Sequence, residues 1–276
     1  MRTPAAWLAL MVAVFMAICL PEPARAQLRP IDPIDWRTFE SIGDITLALG
    51  MGVLRDQHAS LAGTKGTLLE LGNFNAAWRT GRVVLELSGT MHRRFEDQVV
   101  VREPDPGAAP PTGEWRHDAG DIRASTIVRL NGSANAALFA LRFGTRLPTT
   151  SDESGLDRDR TDFFATFGAR WRTGPVVVSG ESGVGINGTR RDGYDQSDVL
   201  TYSLAVEVRM GPFTPSAALV GHVDGTDLEV RGNEDLSELR LGLRAGERYW
   251  IQASAIRGIA EFSPGGGFLL MAGIRP

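Results

Sequence analysis

The chain has 276 residues, with 29 Lys plus Arg against 33 Asp plus Glu and a formal net charge of −4. That balance excludes a nucleic-acid binder held by phosphate contacts, so no nucleic acid is expected among its partners. The single cysteine, Cys19, lies in a segment expected to be removed, so no disulfide is expected in the folded protein. No apolar run after residue 26 reaches the length of a membrane-spanning helix.

The first elements are targeting signals. Arg2 gives a positive start, Ala5 to Leu20 is almost unbroken apolar sequence, and Ala24-Arg25-Ala26 is an A-x-A site. Residues 1–26 therefore read as a secretory signal peptide cleaved after Ala26. Ile18 stands before Cys19 where a lipoprotein signal needs a small residue. Residues 27–42 follow, with Pro30, Pro33 and Trp36. They are either a periplasmic N-terminal extension or a plug entering a lumen, and the sequence leaves both open.

From residue 43 to 276 the pattern has a period of two. Val83, Leu85, Leu87, Gly89 and Met91 alternate with Val84, Glu86, Ser88, Thr90 and His92. Ile122, Ala124, Thr126, Val128 and Leu130 alternate with Arg123, Ser125, Ile127 and Arg129. The same holds for Phe163 to Arg172, Leu200 to Met210 and Glu238 to Ala245. One apolar and one polar face suits a sheet with different solvents on its two sides. Strands are expected near 43–54, 67–79, 82–95, 119–130, 135–146, 161–172, 175–187, 198–209, 213–223, 235–245, 248–259 and 267–275.

Tight connections at 79–82, 131–135, 172–175, 210–212 and 245–247 carry Gly, Asn and Pro. They alternate with longer polar ones near 55–66, 96–118, 147–160, 188–197, 224–234 and 260–266. This is the outer-membrane arrangement of short periplasmic turns and long outer loops. The loops are rich in Asp and Glu, and the turn ends are rich in Arg. Trp78, Trp171, Phe213, Tyr249 and Trp250 fall near the turns, and Phe95, Phe163, Phe164 and Phe262 near the loops. Two aromatic girdles are expected from them.

The expected fold is an all-β, transmembrane, antiparallel up-and-down β-barrel of about twelve strands, within a range of ten to fourteen. A soluble β-domain is the competitor. It has shorter strands and cannot bury so many charges unpaired. The outer membrane is the expected location, with outer-membrane lipid, lipopolysaccharide and, during biogenesis, the barrel assembly machinery as partners.

Around the third hairpin the chain reads Leu141-Arg142-Phe143-Gly144-Thr145-Arg146-Leu147-Pro148-Thr149-Thr150, then Ser154-Gly155-Leu156, then Thr161-Asp162-Phe163. This stretch of about 25 residues resembles the outer-membrane family named for the meta-pathway of phenol degradation, barrels read as transporters. The resemblance carries over Pro148 and Asp162, as structural positions. Many barrels end in an aromatic residue, whereas this chain ends Gly273-Ile274-Arg275-Pro276.

Catalytic signatures are sparse. Of the four histidines, His58, His92, His117 and His222, the last offers a base-and-orienter pair with Asp224. No nucleophile signature stands beside it, Ser88 being only a guess, so no enzyme is expected. Asp152, Glu153, Asp157 and Asp159 are dense enough for calcium but lack the spacing of a defined loop, so a solvated acidic surface is expected. No cofactor and no metal are expected.

The inward charges Glu86, Arg123, Arg129, Arg142, Arg170, Glu181, Glu207, Arg209, Glu238, Arg240 and Arg244 are the candidate lumen and selectivity residues. They carry an Arg excess toward the periplasmic end. They fit a passive channel for a small solute, aromatic or weakly charged. They equally fit a lumen filled by Arg–Glu pairs, leaving a structural or adhesive barrel without a pore. An outer-leaflet lipid hydrolase is a further alternative. The loop 96–118, stiffened by Pro104, Pro106, Pro110 and Pro111, is expected to fold inward and constrict the mouth.

Overall fold

The computed structural model describes residues 29–40, 44–104, 108–110, 115–132, 137–149, 152–156, 160–188, 196–224 and 234–275. The expected signal peptide lies outside the described residues. So do much of the loops at 188–197 and 224–234, and Asp157 and Asp159.

The strands are β1 (Ile45–Ala59), β2 (Thr64–Thr80), β3 (Val83–Val100), β4 (Trp115–Asp118), β5 (Ile122–Arg129), β6 (Ala137–Leu147), β7 (Asp162–Thr173), β8 (Val176–Gly188), β9 (Gln196–Val208), β10 (Phe213–Asp224), β11 (Leu236–Ala245), β12 (Tyr249–Gly258) and β13 (Gly266–Ile274). Each barrel strand is antiparallel to the next, with β3 passing directly to β5. Pairing of β1 with β13, from Leu47 opposite Ile274 to Arg55 opposite Gly266, closes the ring. The result is a closed twelve-strand antiparallel barrel. The four-residue β4 stands apart from that count, paired only with the outer part of β3. Closure leaves no long open edge, the condition for a sheet to sit in lipid.

Four of the tight turns use glycine for the reason the sequence suggests. Gly81, Gly174, Gly211 and Gly246 all have positive φ, between 56° and 92°, a backbone state that side-chain-bearing residues resist.

Burial is inside out relative to a soluble protein. Leu47, Leu49, Met51, Leu85, Leu87, Phe163, Phe167, Trp171, Leu241 and Phe268 are exposed, while Glu70, Arg142, Arg170 and Glu238 are buried. Only a barrel with lipid outside and a polar interior accounts for both sets. This is a transmembrane barrel of outer-membrane type.

Three expectations need correction. β1 and β2 run on through most of the expected 55–66 loop, leaving a turn at 60–63, and β3 extends to Val100. The loop-side girdle is reduced to Phe163. Phe95, Phe164 and Phe262 are buried, and on the turn side Trp250 is buried as well. Trp78, Trp171, Phe213 and Tyr249 do face outward. Finally, His92 does not share the inner face of Glu86, Ser88 and Thr90. Gly72, at φ +69°, forms a bulge against β1, where Gly50 faces Asn73 and Met51 faces Leu71. A bulge exchanges the two faces of a strand. Beyond it Glu70, Arg93, Leu68 and Phe95 are the buried side chains, and His92 and Arg94 lie on the outside.

Candidate functional site: a lumen and its N-terminal plug

Residues 29–40 lie inside the lower half of the barrel, against its inner wall. A short 3-10 turn, η1 (Trp36–Phe39), gives the segment its shape. Asp35 caps it, its Oδ1 accepting from Arg37 N at 3.0 Å. Ile34, Trp36 and Phe39 are buried against Ala77, Val84, Ile127, Leu138 and Ala140 of the wall. Gly168 on β7 makes room for them: a methyl group there would lie 3.0 Å from both Ile34 Cδ1 and Trp36 Cζ2.

The polar side of the segment is met by charges from the wall. Arg29 reaches Glu70 Oε2 at 3.1 Å and Glu238 Oε2 at 3.4 Å. Asp32 Oδ1 pairs with Arg240 Nη1 at 2.6 Å, and its carbonyl accepts from Arg142 Nη1 at 2.8 Å. Ile34 N donates to Glu181 Oε2 at 3.0 Å. Asp35 pairs with Arg275 at 2.8 Å and with Arg244 at 3.7 Å. Arg37 pairs with Glu207 at 2.8 Å, and Glu40 with both Arg170 and Arg209. Arg123 donates to the Arg29 carbonyl at 3.3 Å, and Arg129 lies over the Phe39 ring at 5.6 Å.

All eleven residues expected to line the lumen are on its wall. Among them Arg142 also reaches Glu86 at 3.2 Å and Glu181 at 3.5 Å across strands, and Arg240 pairs with Glu238 at 2.8 Å along β11. Most of the rest turn to the segment. The Arg excess near the periplasmic end is thus the complement of Asp32, Asp35 and Glu40. Sequence reasoning missed those three, together with Arg29, Arg37, Glu70, Arg93 and Arg275. A signal was available: a short segment with three carboxylates precedes a barrel whose inner face is over-supplied with Arg.

A cavity of about 300 Å³ remains beside the segment. Its walls include Thr46, Asn73, Ser88, Ser179, Ser216 and Gln252, together with Arg123 and Arg244. Above it the barrel is capped. Leu54, Leu68, Phe95 and Ile256 point inward and pack with Ala59 at the end of β1 and with Ala62 and Leu156 from the loops. Of the expected 96–118 loop, residues up to Val100 continue β3 and Trp115–Asp118 form β4. Arg102 pairs with Glu234 at 2.6 Å, and Arg116 pairs with Asp97 at 2.8 Å and donates to the carbonyls of Ala109 and Ser154.

The rim motif is structural. Asp162 Oδ2 pairs with Arg146 Nε at 2.6 Å, and its Oδ1 accepts from Gly188 N at 3.0 Å. Arg146 also reaches Asp121 at 2.8 Å, and Thr149 donates to the Gly120 carbonyl. Strands β5 to β8 are tied together at that edge.

His222 is buried, with Nε2 3.1 Å from the Glu234 carbonyl, and Asp224 N donates to Asp235 Oδ1 at 2.7 Å. Ser88 lies on the wall of the lower cavity, on a different strand. Burial pushes the Asp235 carboxyl up to about 6, against the hydrogen bond from Asp224 N and with added repulsion from the Asp224 carboxylate. Among the described residues no three His, Cys, Asp or Glu side chains converge as metal ligands.

No family model matches this chain, and no curated protein matches it. Similar solved structures are outer-membrane proteins of several kinds. The NanC porin has 9% identity and a TM-score of 0.49, covering 84% of this chain and 98% of that one. The translocator domain of autotransporter NalP from Neisseria meningitidis has 11% identity and a TM-score of 0.44, covering 85% and 89%. LpxR from Salmonella typhimurium has 11% identity and a TM-score of 0.41, covering 83% and 99%. At such values these likenesses assign no activity, and the barrel class rests on the closed strand ladder and its apolar exterior.

Proposed function

We propose that the protein is a narrow channel for a small solute, closed at rest by its own N-terminal segment. The observation that carries this reading is the way the segment is held. Its polar contacts are ion pairs and hydrogen bonds to a charged wall, contacts that water can replace one by one. A barrel with no need of a path is as well filled by apolar side chains, since buried ion pairs seldom outperform them in stability. Here the wall keeps its charges, and a polar cavity of about 300 Å³ stays beside the plug. Its charges are largely neutralised in pairs. A weakly charged or aromatic solute is therefore favoured over a strong anion, which would have to displace Asp32, Asp35 or Glu40 from their arginines. Transport of a small solute is also what the resemblance at Leu141–Phe163 implies.

A second reading is favoured by the apolar cap at the outer mouth: a structural barrel that never conducts. Planar-bilayer recordings separate the two. The intact chain is expected to conduct rarely, and a variant lacking residues 29–40 to conduct steadily. If the shortened variant folds, shows heat-modifiable migration and is silent, the channel reading falls and the structural one stands.

A further inference from the structure

The bulge at Gly72 places a group of cationic and aromatic side chains on the outer surface of the barrel. Beyond it His92 and Arg94 of β3 face outward, and β4 adds Trp115 and His117 beside them. The Arg94 guanidinium lies 4.8 Å over the Trp115 ring, and the His92 and His117 rings are stacked at 5.7 Å. Trp115 and His117 are exposed. The nearest acid in sequence on that face, Glu96, accepts from Gln98 at 3.0 Å. Arg94 makes no ion pair with a described carboxylate, unlike Arg93 and Arg116 on the opposite face, which pair with Glu70 and Asp97.

The height of this group on the barrel decides what it meets. Trp78, opposite Leu85, marks the periplasmic edge of the lipid-facing band. A strand rising about 3.3 Å per residue and tilted by about 40° climbs roughly 2.5 Å per residue along the membrane normal, against a band about 25 Å tall. His92 and Arg94, seven and nine residues beyond Leu85, therefore sit roughly 18 to 23 Å above it, at the outer boundary. Met91, 63% exposed, still faces acyl chains. One step further along β3 the outward side chains are those of His92 and Arg94. Long loops on this side make it the cell-surface side.

We infer that His92, Arg94, Trp115 and His117 form a binding site for the phosphate of an anionic glycolipid headgroup in the outer leaflet. The tryptophan fixes the guanidinium plane, which leaves its N–H groups directed to an acceptor from the membrane. The two histidines supply further ring N–H donors, and Met91 and Leu71 underneath suit the acyl chains. A soluble anion has no such reason to collect at the edge of an apolar band.

The test is native mass spectrometry of the detergent-solubilised full-length mature barrel. Added lipids are bis-phosphorylated lipid A and the same lipid A with its phosphates removed. The expected result is a retained adduct with the phosphorylated lipid only, weakened at least about tenfold in His92→Gln/Arg94→Gln and also weakened in Trp115→Ala. Arg257→Gln, at an exposed arginine that donates to the Gly265 carbonyl on β12, is expected to bind as the wild type does. Heat-modifiable migration checks that each variant is folded. Equal retention of the dephosphorylated lipid, undiminished binding by the folded double variant, or an equal loss in Arg257→Gln would overturn the inference.

Discussion

Trp36→Ala is the substitution that most directly separates a plug from a fixed part of the wall. Trp36 is 6% exposed and lies between Gly168 and Phe39, with its ring 6.2 Å from that of Phe39. Truncating a buried Trp costs about 3–5 kcal/mol. The strand ladder does not pass through residues 29–40, so this cost falls on the equilibrium between seated and released segment rather than on the barrel. By the usual conversion of free energy to populations it favours release by roughly two to three and a half orders of magnitude. A segment seated about a thousand times more often than not is thereby brought near equal occupancy. The assay is single-channel recording, with the ratio of conducting to silent dwell times as its readout. Protease cleavage within 29–40 from the periplasmic face of reconstituted vesicles gives an independent count of released segments. If Trp36→Ala folds and leaves both readouts at the wild-type level, the segment is not a detachable plug.

Gly168→Leu is expected to expel the segment by a different route, since even a methyl at that position sits 3.0 Å from Trp36 and Ile34; it should match Trp36→Ala in conductance. Arg142→Met leaves Glu86 and Glu181 buried together, and is expected to lower barrel stability by about 3–5 kcal/mol in urea titrations, with much of the loss recovered on adding Glu86→Gln and Glu181→Gln. Asp235 gives a pH signature at the outer rim. Its folded-state value of about 6 lies above the ordinary value of 3.8, so its contribution is complete below pH 4 and is lost as pH rises through 6. Proteolysis of the 224–234 loop should therefore be faster at pH 7.5 than at pH 5, and Asp235→Asn should flatten that difference. His222→Ala should leave lipid release unchanged, its ring being turned to the Glu234 carbonyl; a loss of lipid-hydrolysing activity in that variant would favour the enzyme reading.

The barrel was legible because alternation is a local property. Val83 to Met91 and Phe163 to Arg172 state their two faces in ten residues, and the glycine turns between strands state the connections. What escaped was non-local. Glu70 and Arg93 hold Arg29 in place, but Gly72 reverses the alternation between them and the lower halves of their strands, so a strict period of two assigns the faces wrongly. Phe95 and Phe262 have the composition of a lipid-facing girdle. They are buried because β3 and the neighbouring loops rise above the membrane and cover the mouth, which no window of ten residues reveals. The partners of Asp32, Asp35 and Glu40 come from β6, β7, β11, the residue after β9 and the residue after β13, so their pairing depends on closure of the whole ring.

That dependence sets an order on biogenesis. Residues 29–40 precede every strand, yet Asp35 finds Arg244 and Arg275 only when the last hairpin is in place. A closed ring has to be entered from below by a segment already carrying two prolines and a 3-10 turn, whereas an open one can wrap around it. Contacts between such distant parts of a chain form slowly, because the long intervening loop must first be restrained. The first residues of the described chain would then serve as a mandrel on which the final strands are drawn shut, and their absence should slow the appearance of the heat-modifiable form before it changes any current.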